Sequence, residues 1–218
     1  LYVLENNGVY GLTKGQFSAS ADVGSTARKG GSVNQQPPID PVLTAINFGC
    51  TFVARGFSGD KQNLVPLLKA AIQHPGFALL DVLSPCVTFN DHEGSTKSYA
   101  YTRESERATV YADFIPSREP IETDRVRDVT TITLHDGSRI VLRKVDNDYN
   151  PLDAGAATAY IRDHQDEGEI VTGLLYINEE AQDLHAMNNT SNTPLSALEL
   201  SKLIPGAAKL AALQKAWR

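Results

Sequence analysis

The chain contains 218 residues, of which 41% are hydrophobic and 21% are charged, and its formal net charge is −6. This composition is that of a globular protein with a sizeable core, and a pI near 5.4 argues against a nucleic-acid-binding surface. No apolar run approaches the roughly 20 residues that a membrane-spanning helix needs, and two cysteines form no disulfide framework, so we expect a cytoplasmic protein that does not enter a membrane.

Strand and helix patterns alternate along the first half of the chain. Short apolar runs bounded by turn residues predict three strands, at residues 1–4, 50–54 and 77–83. Helical spacing after a capping aspartate predicts two helices, one from Asp40-Pro41 through Ala45 and one that begins after Asp60 and ends at Pro75-Gly76. This order of elements indicates right-handed crossovers and a doubly wound α/β fold with a mainly parallel sheet.

In a sheet of this class, ligands bind beyond the carboxyl ends of the strands. Three such ends are visible, at residues 6–11, 55–59 and 84–89. The long polar loop at residues 17–40 is also expected to be functional, because loops of this length in compact domains usually are. The first strand is predicted to be buried on both faces and so to need neighbours on both sides. Because the chain opens directly on this strand, without an initiator methionine, we expect it to be N-terminally incomplete.

The chain changes character beyond residue 93. Residues 95–112 are polar and predict a helix, and two alternating runs around Asp136-Gly137 predict a β-hairpin. The remaining predicted elements are a helix at residues 152–164, a strand at residues 170–177 and a helix pair at residues 194–217 hinged at Pro205-Gly206. We therefore predict two domains, residues 1–93 and an appended C-terminal α+β arm at residues 94–218.

The turn after the first strand holds candidate ligands for a metal ion. Groups two positions apart point the same way in an extended segment, so the Asn7 side-chain oxygen and the Val9 carbonyl can converge on one cation. Oxygen ligands of this kind suit Mg²⁺ bound to a diphosphate, and Gly8 and Gly11 leave the backbone open to such a group. Asn-Asn-Gly is also an ordinary turn, and spacing alone favours that alternative.

Three segments extend this pattern: Asn-Asn-Gly-Val-Tyr-Gly-Leu-Thr-Lys-Gly-Gln at residues 6–16, Ala-Arg-Gly-Phe-Ser at residues 54–58, and Leu-Ser-Pro-Cys-Val-Thr-Phe-Asn at residues 83–90. The first resembles the second half of the thiamine diphosphate fingerprint, in which Gly-Asp-Gly precedes Asn-Asn. Together the segments resemble the β subunit of the 2-oxoacid:ferredoxin oxidoreductases. This resemblance implies that residues 1–93 are the C-terminal half of a thiamine diphosphate-binding domain.

The resemblance assigns roles to residues of the first turn. Asn7 and the carbonyl of Val9 would ligate Mg²⁺, and Gly11 with Leu12 would line the thiamine diphosphate. Lys14 would recognise the distal carboxylate of 2-oxoglutarate through its charge. Without the resemblance, a lysine at this position is more often simply solvated.

The resemblance also concerns the two cysteines and an arginine. Cys86 would be one of the four thiolates of a 4Fe-4S cluster, whereas a lone cysteine is more often a small buried hydrophobe. Cys50 lies in an apolar strand, and we interpret it as core. Arg55 would either hold a substrate carboxylate or a phosphate of coenzyme A, or form a structural ion pair, which we favour slightly.

As a whole, the resemblance implies an enzyme that oxidatively decarboxylates a 2-oxoacid. The substrate would be 2-oxoglutarate, with coenzyme A as co-substrate and with electrons passing through the 4Fe-4S cluster to ferredoxin. The catalytic acid is expected on a partner α subunit, so no catalytic residue is assigned here. Two alternatives stay open: a thiamine diphosphate-dependent decarboxylase or synthase without ferredoxin, and a noncatalytic module for subunit assembly.

Overall fold

Seven of the nine described strands form one sheet, and the other two form a short hairpin. The strands are β1 (Tyr2–Asn6), β2 (Val9–Tyr10), β3 (Gln16–Phe17), β4 (Phe52–Phe57), β5 (Ala78–Leu83), β6 (Glu106–Ile115), β7 (Val129–Thr133), β8 (Arg139–Lys144) and β9 (Ile170–Ile177). The structure is a computed structural model that describes residues 1–29, 31–115, 129–133, 137–144, 146, 148–204 and 206–217. The order of the large sheet is β1-β5-β4-β9-β6-β8-β7.

The described helices are short to medium in length. They are α1 (Pro41–Asn47), α2 (Lys61–Gln73), α3 (Tyr99–Ser105), α4 (Ala154–Asp166), α5 (Leu184–Met187), α6 (Leu200–Leu203) and α7 (Gly206–Ala216), with a 3₁₀ helix at Leu195–Ala197. As predicted, Asp40 caps α1 and Asp60 caps α2, because their carboxylates accept hydrogen bonds from first-turn amides. Among the described residues, no helix is both long enough and apolar enough to cross a membrane.

The predicted α/β architecture is confirmed. Strands β1, β5 and β4 are mutually parallel, so that Asn6, Leu83 and Phe57 end at one edge of the sheet. Every residue of β4 and β5 is buried, as expected for central parallel strands. The predicted burial of the first strand on both faces is wrong for this chain, because β1 lies at the edge of the described sheet and Tyr2 is 57% exposed.

One core lies between this sheet and the helices packed on it. Its members are apolar side chains from α1, α2, α4 and the central strands, among them Val42, Phe52, Leu67, Leu80, Ile161 and Leu174. Each of these six is wholly buried, and burying an aliphatic or aromatic side chain contributes about 1.5–3 kcal/mol. The core therefore holds β4 and β5 rigidly beneath the edge at which their carboxyl ends meet.

The second half of the chain contributes to the same sheet. The hairpin of β7 and β8 is confirmed, although its turn residues 134–136 and Val145 lie outside the described residues. Strand β9 and helix α4 are also confirmed. The predicted helix at residues 95–112 is wrong beyond Ser105, because the chain continues there as β6, which pairs with β8 and β9.

The chain divides into two compact units, Leu1–Ala181 and Gln182–Arg218. Strands from both sides of residue 93 belong to one sheet, since β9 pairs with β4, and the domain boundary between residues 93 and 94 stays a prediction. In the C-terminal unit, α6 and α7 lie on either side of residue 205, which is outside the described residues. Apolar side chains of this unit, including Leu200 and Trp217, are exposed.

Candidate functional site

The carboxyl ends of β1, β5 and β4 meet at one edge, where all three predicted ligand-binding segments lie. The Ser84 amide donates to the Asn6 carbonyl at 3.1 Å, and the Ser58 amide donates to the Leu83 carbonyl at 2.9 Å. The turns that follow the strands are therefore joined by backbone hydrogen bonds. This edge is where an open α/β sheet places its ligands.

The first turn is held closed by its own asparagine. The Val9 amide donates to the Asn7 side-chain oxygen at 3.0 Å, and Gly8 between them has a φ of +73°. The prediction that Asn7 and Val9 converge through extended backbone is wrong in this respect, because a tight turn with a left-handed glycine brings them together. The Asn7 oxygen keeps a second lone pair after accepting this bond. It therefore stays available to a cation.

The side chain of Asn90, which follows the third strand end, holds this turn by a hydrogen bond. Asn90 is 2% exposed, and its amide nitrogen Nδ2 donates to the Asn7 carbonyl at 2.7 Å. A Cβ atom at Gly8 would lie 2.7 Å from the same Nδ2. The sequence reasoning assigned no role to Asn90, although it ends the resembling segment at residues 83–90.

The two cysteines occupy different environments. Cys86 is half-buried in the turn after β5, where its carbonyl accepts from the Asn90 amide at 2.7 Å. Cys50 is buried, and its thiol lies 3.2 Å from the Phe52 carbonyl and 3.1 Å from the Phe77 carbonyl, to which it donates. Burial raises the pKa of the Cys50 thiol, which disfavours a thiolate. Cys50 is thus a core residue, as interpreted from the sequence.

The predicted thiamine-lining and substrate-binding residues lie on a hairpin tip. Pairing of Val9 with Phe17 closes this hairpin, and Gly11, Leu12 and Lys14 project from it. All three are exposed, and the side chain of Leu12 is 99% exposed. Lys14 has a φ of +67°, which is uncommon for a residue with a side chain and is found most often at functional loops.

Arg55 forms the structural ion pair that the sequence reasoning favoured. Its guanidinium donates to Asp40 and to Asp81, each at 2.8 Å, and its side chain is only 6% exposed. Burial alone would raise the pKa of the Asp40 carboxyl, but the charge and hydrogen bonds of Arg55 outweigh it, so that this pKa lies below its ordinary value. Two of the three guanidinium nitrogens of Arg55, Nε and Nη2, are therefore used inside the fold.

A cavity of about 640 Å³ adjoins this edge, with Asn6, Leu83, Lys97 and Arg162 among the residues that line it. Its ionic groups are largely paired, since the Lys97 ammonium lies 2.8 Å from Asp22. Sequence reasoning missed Lys97 and Asp22, because 75 positions separate them and no local pattern joins them. The long loop at residues 17–40, predicted to be functional, supplies several of the lining residues.

Comparison with known proteins shows that the part of the chain that forms this edge is similar to a cofactor-binding family. Residues 1–82 match the family described as thiamine pyrophosphate enzyme, C-terminal TPP binding domain. The chain is 42% identical over 120 residues to the 2-oxoacid:ferredoxin oxidoreductase subunit beta of Saccharolobus solfataricus, a match that covers 55% of this chain and 37% of that protein. It is 40% identical over 89 residues to the 2-oxoglutarate oxidoreductase subunit KorB of Mycobacterium tuberculosis, covering 41% of this chain and 24% of that protein.

A solved structure extends the similarity over most of the chain. The 2-oxoglutarate:ferredoxin oxidoreductase from Magnetococcus marinus, with 2-oxoglutarate, coenzyme A and succinyl-CoA bound, matches 93% of this chain and 56% of that chain, with a TM-score of 0.59 and 26% identity. The resemblance drawn from the sequence and the thiamine diphosphate-binding type of fold are thereby confirmed. The chain spans just over half of the solved relative and about a third or less of the two curated relatives.

Proposed function

We propose that this chain works within the β subunit of a 2-oxoacid:ferredoxin oxidoreductase. The premise is the match of residues 1–82 to the family described as thiamine pyrophosphate enzyme, C-terminal TPP binding domain. The observation that carries the proposal is the Asn7–Val9 turn. It stands at the carboxyl edge of the parallel strands, inside the matched domain, and it offers oxygen ligands close in sequence to Gly11, where a Cβ atom would meet no atom within 4 Å. A noncatalytic assembly module would have no need of this constellation.

The donor set of the turn fits a magnesium ion bound to a diphosphate. Asn7 would ligate Mg²⁺ through its side-chain oxygen and Val9 through its carbonyl, since Mg²⁺ prefers hard oxygen ligands. Gly11 and Leu12, on the hairpin tip, would line the thiamine diphosphate. These residues bind and orient the cofactor, and the chain needs to supply no acid or base for that task.

Cys86 supplies a single thiol that could ligate a 4Fe-4S cluster. A 4Fe-4S cluster takes four cysteine thiolates, and Cys50 is committed to the core. We therefore propose that Cys86 is one ligand and that the other three come from outside this chain. When bound, thiamine diphosphate supplies a nucleophilic carbon for decarboxylation and the cluster carries electrons singly toward ferredoxin. Coenzyme A would then accept the acyl group.

The magnesium assignment is tested with Asn7→Ala in the complete enzyme, purified with its α subunit. Titration calorimetry with thiamine diphosphate and Mg²⁺ is expected to show binding weakened by at least about tenfold, because even the loss of an outer-shell partner costs about 10- to 100-fold in metal affinity. Asn150→Ala is the matched control. Asn150 makes the same kind of contact, accepting from the Leu152 amide at 3.1 Å, but lies on another loop.

Unchanged affinity in Asn7→Ala would favour the noncatalytic module. Iron and sulfide analysis of the same preparation separates the remaining alternatives. An active enzyme without a cluster would instead be a thiamine-dependent decarboxylase or synthase, and Cys86 would have no redox role.

Lys14 is proposed to recognise the distal carboxylate of 2-oxoglutarate. It is exposed on the hairpin tip, and no described residue pairs with its ammonium. In Lys14→Ala, the ratio of kcat/KM for 2-oxoglutarate to kcat/KM for pyruvate is expected to fall by about tenfold or more, since a charged hydrogen bond contributes about 1.5–3 kcal/mol. Lys14→Arg should restore much of the ratio, and Lys29→Ala, at another exposed lysine, should leave it unchanged. An unaltered ratio in Lys14→Ala would remove Lys14 from the substrate site.

A further inference from the structure

Asn90 links two turns, because its side chain contacts the Asn7 turn and its backbone closes the turn that begins at Cys86. Its Nδ2 donates to the Asn7 carbonyl at 2.7 Å, and its backbone amide donates to the Cys86 carbonyl, also at 2.7 Å. Ser95 holds the residue from the other side, because its hydroxyl contacts the Asn90 side-chain oxygen at 2.6 Å and the Asn90 carbonyl at 2.9 Å. A buried amide with this many partners has one orientation.

The Asn7 turn rests directly on this amide. Gly8 has no side chain where a Cβ atom would lie 2.7 Å from the Asn90 Nδ2. Two asparagine side chains thus hold the turn, Asn7 through its internal hydrogen bond from the Val9 amide and Asn90 through the external one. The Ser84 amide already joins Asn6 to the third strand end, and Asn90 adds the side-chain contact that fixes the position of the Asn7 carbonyl there.

We propose that Asn90 is a positioning residue that places the Asn7 turn and the Cys86 turn relative to each other. The proposal rests on the function proposed above, in which the first turn binds Mg²⁺ and the second offers a cluster thiolate. Asn90 touches neither group. Its backbone amide closes the Cys86 turn and its side chain holds the Asn7 carbonyl, so that loss of the side chain unties the two turns from each other, whereas a change in either ligand affects its own site first.

The test is Asn90→Ala in the complete enzyme, with two measurements that report on different turns. Calorimetry is expected to show Mg²⁺-dependent binding of thiamine diphosphate weakened by about 10- to 100-fold, the range for a lost outer-shell partner. Electron paramagnetic resonance of the reduced cluster is expected to show an altered spectrum together with a shifted midpoint potential, because the turn that carries Cys86 loses its side-chain link to the Asn7 turn and the solvent exposure of a cluster helps to set its potential. Both changes should appear in protein that remains folded.

Asn63→Ala is the matched control, since Asn63 is also a buried asparagine, at 4% exposed, and its side-chain oxygen has no hydrogen-bond partner among the described residues. It should alter neither the cofactor affinity nor the cluster spectrum. If Asn90→Ala does not fold, Ser95→Ala replaces it. That variant removes the two hydroxyl contacts that orient Asn90, and it is expected to shift both measurements in the same direction but less.

The outcomes distinguish this proposal from the one on which it rests. If the wild-type enzyme binds no thiamine diphosphate with Mg²⁺, or contains no iron, the proposed function fails. If the wild type has both and the Asn90 and Ser95 variants leave both measurements unchanged, only the positioning role is overturned. A variant that changes one measurement and leaves the other untouched also contradicts it, because the role assigned to Asn90 is to hold both turns.

Discussion

Replacing Arg55 with methionine is expected to reduce the free energy of unfolding by about 3–5 kcal/mol, the usual cost of removing one partner from a buried ion pair. Arg55 lies between Asp40 and Asp81, at 2.8 Å from each, and Asp81 is wholly buried. One oxygen of Asp81 already has no hydrogen-bond partner among the described residues. Without Arg55, this carboxylate would remain buried and uncompensated.

Chemical denaturation of wild type and variant measures the loss, and Arg107→Met provides the comparison. Arg107 also contacts two carboxylates, Asp146 and Glu169, but its side chain is 40% exposed. Solvent screens such pairs, so the loss of Arg107 is expected to reduce the free energy of unfolding far less than the loss of Arg55. Equal losses in the two variants would show that burial does not increase the contribution of the Arg55 ion pairs to stability.

The difference in the free energy of unfolding between wild type and Arg55→Met is expected to depend on pH because of Asp40. Burial acts to raise the pKa of this carboxyl, but Arg55 lowers it below its ordinary value of 3.8. A group with a lowered folded-state pKa contributes its full stabilisation above the unfolded-state value and loses it as the pH falls through the folded-state value. The gap between wild type and Arg55→Met should therefore shrink below about pH 4.

The features that sequence predicted well are those specified locally. The Asp40-Pro41 cap of α1 depends on adjacent residues, and β9 is an apolar run with β-branched residues at residues 170–177, so the pattern and the structure agree. The Asn7 turn was located correctly for the same reason. The shape of this turn was predicted wrongly, because Gly8 has a left-handed backbone conformation in place of the extended one that was expected.

The features that were missed depend on contacts between distant parts of the chain. Residues 106–112 look polar in isolation, yet they form a strand because β6 pairs with β8 and β9 on its two sides. Asn90 lies 83 positions from the Asn7 carbonyl that it holds. A single sequence contains no periodic signal for such a contact, so the residue that supports the candidate site became visible only in the fold.

The Gly8→Ala variant is expected to be the most damaging small change at the candidate site. Left-handed backbone costs a residue with a side chain roughly 1–2 kcal/mol, and Gly8 has a φ of +73°. The added methyl would also lie 2.7 Å from the Asn90 Nδ2, so the turn or Asn90 must move. We expect the loss of stability to exceed that backbone cost. The loss of Mg²⁺-dependent thiamine diphosphate binding should exceed that of Asn7→Ala, because both oxygen ligands are displaced.

Gly24→Ala separates the two causes. Gly24 also has a left-handed backbone, with a φ of +86°, but no atom lies within 4 Å of a Cβ built there. It should therefore show the backbone cost alone and leave cofactor binding unchanged. The double variant Gly8→Ala with Asn90→Ala provides a further check in denaturation and calorimetry. If the methyl acts by displacing Asn90, the combined losses will be smaller than the sum of the single losses, since the two changes damage the same contact. Strictly additive losses would mean that the methyl does not act through Asn90, which leaves the backbone conformation of Gly8 and the close approach to Lys97 as the causes.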